Sequence, residues 1–256
     1  MTTPLQNRVV WITGAGTGIG RAMAHAFAAQ GARVALTGRR PDALAVVETA
    51  LRESGAATLT AQADVTYPAQ VAAAHATIVA AWGEVDILVN NAGGNAKNRH
   101  WRNLSAADMA AVVDVNLKGP FLCTLAVLPA MRARRDGLLI HVASLAGTAI
   151  FPVTGATYTA AKHGVRAMSQ TLNAEEGIHG IRSVCINPGE VETDILNSRP
   201  NPPGAADRAL MVQPEDIAAA AVFAATLPVR ACIADMTIVP TDNQFHRATA
   251  RAIAEG

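Results

Sequence analysis

The chain has 256 residues, 50% of them hydrophobic, which suits one domain around a large core. Its 21 basic residues nearly cancel 20 acidic ones, so neither a nucleic acid nor an acidic membrane surface is expected as a partner. Cys123, Cys185 and Cys232 are widely spaced in apolar runs and read as reduced core thiols of a cytoplasmic protein, and the histidines lack the ligand spacing of a metal site.

In chain order, Met1–Pro4 lead directly into an apolar run at 9–12, leaving no expected signal segment. That run reads as a buried parallel strand. The turn Thr13-Gly14-Ala15-Gly16-Thr17-Gly18-Ile19-Gly20 follows, and then a helix-forming stretch at 21–29. Strand, glycine turn and helix let backbone N–H groups approach a pyrophosphate at a helix N-terminus. The spacing is G-x-x-x-G-x-G, distinct from the commoner G-x-G-x-x-G, and a turn without a ligand is the alternative. Further strands are expected at 33–37, 58–61, 87–89, 138–142, 183–186 and 236–238, with helices at 41–54, 69–82, 106–134, 157–175 and 214–227. This alternation predicts an α/β fold, one doubly wound Rossmann-type parallel sheet of about seven strands with helices on both faces. It forms a single domain over 1–256, with ligands beyond the C-terminal strand ends. The uncharged run 217–229 is too short to cross a bilayer and contains Pro228, so no membrane is expected. The irregular stretch 190–210, with Pro200, Pro202, Pro203 and Gly204, is expected to be a lid over substrate, an ordinary surface loop being the alternative.

Tyr158 and Lys162 stand four positions apart, on one side of a helix and one turn from each other. A phenol with a pKa of ~10 is a poor acid or base at neutral pH unless a cation stabilises its phenolate, and Lys162 is placed to do so. His141, in a strand, reads as a satisfied core side chain. Ser144 lacks the G-x-S-x-G surroundings of a hydrolase nucleophile.

Together, these motifs resemble the short-chain dehydrogenase/reductase family along nearly the whole chain. The family's cofactor turn appears at 13–20, with Gly14, Thr17, Gly18, Ile19 and Gly20. Its Asn-Asn-Ala-Gly segment appears as Asn90-Asn91-Ala92-Gly93, and its catalytic asparagine as Asn116 in Val115-Asn116-Leu117. Ser144, Tyr158 and Lys162 match its catalytic trio, and Pro188-Gly189, Val191 and Thr193 match the segment around the nicotinamide. The resemblance implies hydride transfer between nicotinamide and a secondary alcohol or ketone. Tyr158 would be the general acid/base and Ser144 a donor to the same oxygen. Lys162 would lower the Tyr158 pKa and hold the nicotinamide ribose, and Asn116 would position a water that links Lys162 to solvent. Asp64-Val65 resembles the adenine contact; a turn carboxylate is the alternative reading.

Gly38 stands where NAD-specific relatives carry an aspartate, and Arg39 follows it. A guanidinium there clamps a 2′-phosphate, which favours NADP(H), with NAD(H) possible if Arg39 and Arg40 are a solvated turn. Phe151, Val153, Glu190 and Val191 are candidate pocket residues, with Glu190 able to select a cationic or hydroxylated substrate. Lys97-Asn98-Arg99-His100 lies near the expected site mouth and reads as a solvated loop in preference to a greeter of acidic substrates. The family's dimer-forming helix pair appears at 106–134 and around Tyr158, implying a homodimer or homotetramer. The ending 234–241 lacks the glycine-rich pattern of many tetramers and looks more like the branch of NADP-dependent reductases of hydroxy acids and small carbonyls. Thirteen residues separate Ser144 from Tyr158, one more than the family spacing, so the extra residue is expected to bulge within 148–157. The alternatives are an NAD(H)-dependent dehydrogenase of a sugar, polyol or 3-oxoacyl substrate, and a dinucleotide sensor without turnover. The intact Asn116, Ser144, Tyr158 and Lys162 argue against the sensor.

Overall fold

The computed structural model describes residues 3–198 and 202–242, so Pro200 of the expected lid and residues 243–256 of the expected domain lie outside the described residues. Seven strands build the frame: β1 (Val9–Thr13), β2 (Arg33–Thr37), β3 (Thr58–Thr60), β4 (Ile87–Asn90), β5 (Gly137–Val142), β6 (Ile181–Pro188) and β7 (Asp235–Ile238). All pair in parallel, in the order β3-β2-β1-β4-β5-β6-β7. Chain order reverses direction between β1 and β4, and at such a switch point a crevice opens beyond the strand ends.

Among the described residues, eight α-helices connect the strands: α1 (Gly18–Ala29), α2 (Pro41–Glu53), α3 (Pro68–Trp82), α4 (Ala106–Val113), α5 (Gly119–Arg134), α6 (Ala156–Glu176), α7 (Ala205–Arg208) and α8 (Pro214–Thr226). Strand residues alternate between two cores, as the period of two requires. Val10 and Ile12 pack with Met23 and Phe27 of α1, Val47 of α2 and Ile217 of α8. Val9 and Trp11 pack with Ile78 of α3 and with Cys123 and Val127 of α5 on the other face. The sheet is therefore a doubly wound Rossmann-type sheet, as the alternation of elements predicts.

The expected continuous helix over 106–134 is divided. A five-residue π-turn, Asp114–Lys118, joins α4 to α5. Pro120 has no N–H to offer the carbonyl four residues back, so the α-ladder is broken there. Asn116, inside the turn, donates instead from Nδ2 to Val112 O at 2.8 Å. Residues 106–134 are long and apolar enough to span a bilayer by length and composition. In the fold, however, Cys123, Val127 and Met131 of α5 belong to the second core.

Two side-chain expectations need correction. Cys123 and Cys185 are buried, and burial pushes both thiols up to about 12, but Cys232 is exposed. It stands in the loop between α8 and β7, with Sγ 3.5 Å from Ser183 O. His141 is fully buried and kept neutral, its pKa pushed down to about 3 by burial, yet it is only half satisfied. Its Nδ1 lies 3.2 Å from Asn90 Nδ2, while Nε2 has no hydrogen-bond partner.

Candidate active site

A cleft of about 370 Å³ opens at the C-terminal ends of the strands. Its nucleotide end is built from backbone. After β1, Gly14 turns the chain at φ +65° and Gly18 starts α1 at φ +50°, conformations that glycine adopts without steric cost. The α1 N-cap, Thr17, makes no side-chain capping bond, and the first turn carries no acidic residue. The first-turn N–H groups and the positive end of the helix dipole thus stay available to an anion.

The turn is drawn tightly together. A Cβ on Gly20 would lie 2.2 Å from Gly14 O, one on Gly14 would lie 2.9 Å from Ala92 Cα, and one on Gly18 would lie 3.1 Å from Thr193 Cγ2. Asn91 Nδ2 donates to Thr13 O at 3.0 Å and to Gly14 O at 3.2 Å. The Thr13 hydroxyl accepts from Asn91 N at 3.0 Å and Ala92 N at 3.1 Å. These residues fit the diphosphate of a dinucleotide, since side chains are absent where phosphate oxygens would approach. Gly20→Ala should destabilise the fold by ~1–3 kcal/mol, the range for overpacking, and lower dinucleotide affinity. Thermal unfolding with and without NADPH checks both effects.

Gly14, Thr17, Gly18 and Ile19 line the cleft, whereas Gly20 lies behind the turn and does not. Arg39 lines it from the exposed end of β2, flanked by Gly38 and Arg40. Asp64 and Val65 line it after β3. Asp64 Oδ1 also accepts from Thr66 N at 3.0 Å and Thr66 Oγ1 at 2.9 Å, so the turn role is occupied at one oxygen. Asn91, Ala92, Gly93, Pro188, Gly189, Val191 and Thr193 complete the lining, as do the anticipated pocket residues Phe151, Val153 and Glu190.

At the other end of the cleft, α6 carries Tyr158 and Lys162. Lys162 Nζ lies 5.5 Å from the centroid of the Tyr158 ring and donates to Val142 O at 2.8 Å. Burial pulls the Lys162 pKa down to about 8, and the thiol of Cys185 opposes that shift. Ser144 Oγ accepts from Ala146 N at 3.1 Å, which leaves the hydroxyl proton to donate elsewhere. Asn116 is buried and fastens the loop after β4, with Nδ2 donating to Gly94 O at 2.7 Å and Oδ1 accepting from Gly94 N at 3.3 Å. Gly93 lies between Asn116 and Lys162: a Cβ there would be 2.8 Å from Asn116 Oδ1 and 3.6 Å from Lys162 Nζ. Between Ser144 and Tyr158 the chain passes through a short 3-10 turn, Pro152–Thr154, and through Gly155 at φ +77°.

Arg99 departs from the sequence reading. Lys97 and Asn98 are exposed, but Arg99 is buried and lines the cleft. Residues 97–98 before it and 101–103 after it are exposed. No periodic or motif signal marks such a position, because the loop path that buries it is set by tertiary contacts. From 190–210, Glu190, Val191, Thr193, Asp194, Ile195 and Leu196 line the cleft, and Val191 bridges to Val212.

The sequence profile described as short chain dehydrogenase matches residues 8–203. Levodione reductase of Leifsonia aquatica is 36% identical over 255 residues, covering 94% of this chain and 95% of that protein. The crystal structure of a metagenomic short-chain oxidoreductase in complex with NADP aligns with a TM-score of 0.81 and 31% identity, covering 93% of this chain and 99% of the other. The closed form of serine dehydrogenase complexed with NADP+ aligns with a TM-score of 0.82 and 32% identity, covering 92% of this chain and 96% of the other. The matched profile runs from the foot of β1 past the glycine turn, α6 and β6, and the chain accordingly belongs to the short-chain dehydrogenase/reductase family.

Proposed function

We propose that this protein is an NADP(H)-dependent oxidoreductase acting between a secondary alcohol and the corresponding ketone, with Tyr158 as general acid/base. The observation that carries this reading is the Lys162 ammonium held 5.5 Å from the Tyr158 ring centroid, in the cleft that the glycine turn and Ser144 also line. The nicotinamide, when bound, supplies the two-electron chemistry. The chain's own residues manage the proton and the substrate oxygen. In reduction, the Tyr158 hydroxyl gives its proton to the developing alkoxide, and Lys162 stabilises the phenolate that remains. Ser144 donates to the same oxygen, the geometry of a one-residue oxyanion stabiliser. In oxidation the proton returns to the phenolate. Asn116 holds the loop beside Lys162 and, as in the family, would seat a water between Lys162 and solvent.

Cofactor choice rests on the end of β2. There is no carboxylate at Gly38 to meet a ribose 2′-hydroxyl, and Arg39 and Arg40 line the cleft. The two similar structures that hold NADP lend support. The test is a fluorescence titration with NADPH and, separately, NADH, and tighter NADPH binding is expected. Arg39→Ala should weaken NADPH by about 10- to 100-fold, the scale of a charged hydrogen bond, and leave NADH nearly unchanged. Equal loss for both would make Arg39 structural, and NADH preference would favour the NAD(H)-dependent alternative.

The same proposal covers three wider features. The whole of 1–256 is taken as one domain, in which 190–210 acts as the lid, supported by Ile195 and Leu196 in the cleft lining. A homodimer or homotetramer is supported by Met109 on α4 and by Phe121 and Leu125 one turn apart on α5, all exposed. A reducing, cytoplasmic setting is supported by the three free thiols.

A further inference from the structure

An arginine outside the cleft lining gathers the wall that meets the cofactor turn. After β6 the chain leaves the frame at residues 190–192 and returns at 211–212, where two backbone bonds join the ends. Val212 N donates to Glu190 O at 3.1 Å, and Glu192 N donates to Val212 O at 2.9 Å. Val191 and Val212 belong to the core that α1 and α8 share, which fixes this junction. From the end of α7, Arg208 reaches back with all three guanidinium nitrogens. Nη1 donates to Glu192 Oε1 at 3.1 Å, Nη2 to Asn197 Oδ1 at 2.6 Å and Nε to Pro203 O at 3.1 Å.

Glu192 and Asn197 bracket Thr193, Asp194, Ile195 and Leu196, four consecutive residues that line the cleft. Leu196 is buried, and Thr193 stands against the glycine turn, its Cγ2 3.1 Å from where a Cβ on Gly18 would lie. The Arg208–Glu192 ion pair is partly exposed at both ends and contributes little by itself. A planar fork that holds three acceptors in fixed directions does more. It sets the spacing of 192, 197 and 203, which the single nitrogen of a lysine cannot do.

We propose that Arg208 is a positioning residue for the bound dinucleotide: its three-way hold keeps residues 193–197 against the glycine turn and so sets how long the cofactor stays bound. This inference rests on the dinucleotide-binding part of the oxidoreductase reading.

The test uses the full chain loaded with NADPH, or with NADH should that bind tighter, and displaces it with an excess of its oxidised form in a stopped-flow fluorimeter. Arg208→Leu should speed dissociation by about tenfold or more, the scale of one to two net hydrogen bonds, and leave the association rate nearly unchanged. Arg208→Lys should stay close to Arg208→Leu. Asn197→Asp keeps an acceptor and should release cofactor at the parent's rate, whereas Asn197→Leu should release it faster. The double variant Arg208→Leu/Asn197→Leu should be no faster than Arg208→Leu alone, since both remove the same contact. Amide exchange should rise across 193–197 and stay unchanged in α6 and β6. Should Arg208→Leu fail to fold, the two Asn197 variants decide: equal release from both overturns the inference. It is also overturned by unchanged dissociation from folded Arg208→Leu, or by faster release accompanied by looser exchange throughout α6 and β6. Each of these outcomes leaves the oxidoreductase reading standing, while failure of the parent protein to bind either dinucleotide removes both.

Discussion

Tyr158→Phe should lower turnover by about 10²–10⁴-fold, the contribution expected of a positioned general acid, and leave NADPH affinity unchanged. The substitution keeps the ring that faces Lys162 and removes only the hydroxyl proposed to exchange the proton. Tyr158 is half-buried. Steady-state kinetics and a fluorescence titration on the same preparation separate the two effects. Turnover within about tenfold of the unmodified protein would be too small a loss for a general acid and would remove Tyr158 from that role. Parallel loss of affinity and rate would point to a displaced α6 instead of a missing proton.

The reach of the sequence can be judged residue by residue. Tyr158 and Lys162 are legible because a helix makes neighbours of positions four apart whatever surrounds it. The glycine turn is legible for a related reason: Gly14 and Gly18 adopt positive φ, and Gly20 has a backbone oxygen where a Cβ would be. Local chemistry decides both. Asn116 was identifiable by motif, yet the π-turn that holds it was not, because hydropathy runs unbroken through 106–134. Pro120 and Gly119 were the signals available. A Cβ on Gly119 would meet Val65 Cγ2 at 2.7 Å, a contact 54 positions away in the chain that no local pattern reports. Arg99 and Cys232 misled in opposite directions for the same reason. A basic loop reads as solvated and an apolar run as core until the tertiary path buries the one and exposes the other.

Lys162→Met should lower turnover by about 10²-fold or more, toward the lower end of what acid–base catalysis contributes, while raising stability at neutral pH. Lys162 is 4% exposed, and burial has pulled its pKa from 10.5 down to about 8. A folded-state pKa below the unfolded one means that the unfolded chain holds the proton more firmly between these two values. Stability therefore rises with pH through that window, and below about 8 the charged amine carries its full penalty. At about 1.4 kcal/mol per pKa unit, that penalty is on the order of 3 kcal/mol. Methionine removes it but gives up the hydrogen bond to Val142 O, which offsets ~1–2 kcal/mol. The net gain of about 1 kcal/mol corresponds to a melting temperature higher by roughly 2–4 °C at pH 7. The difference should shrink and change sign as the pH passes from about 8 toward 10.5, because the unmodified protein then sheds the buried charge while keeping its hydrogen bond. A variant less stable than the parent at pH 7, with a gap independent of pH, would show that the ammonium is well paired in the fold. The strain would then lie elsewhere, and the proposed partnership of Lys162 with Tyr158 would lose its support. The expected result instead places the cost of a dry cation beside the ring of Tyr158, where the proposed mechanism calls for a positive charge.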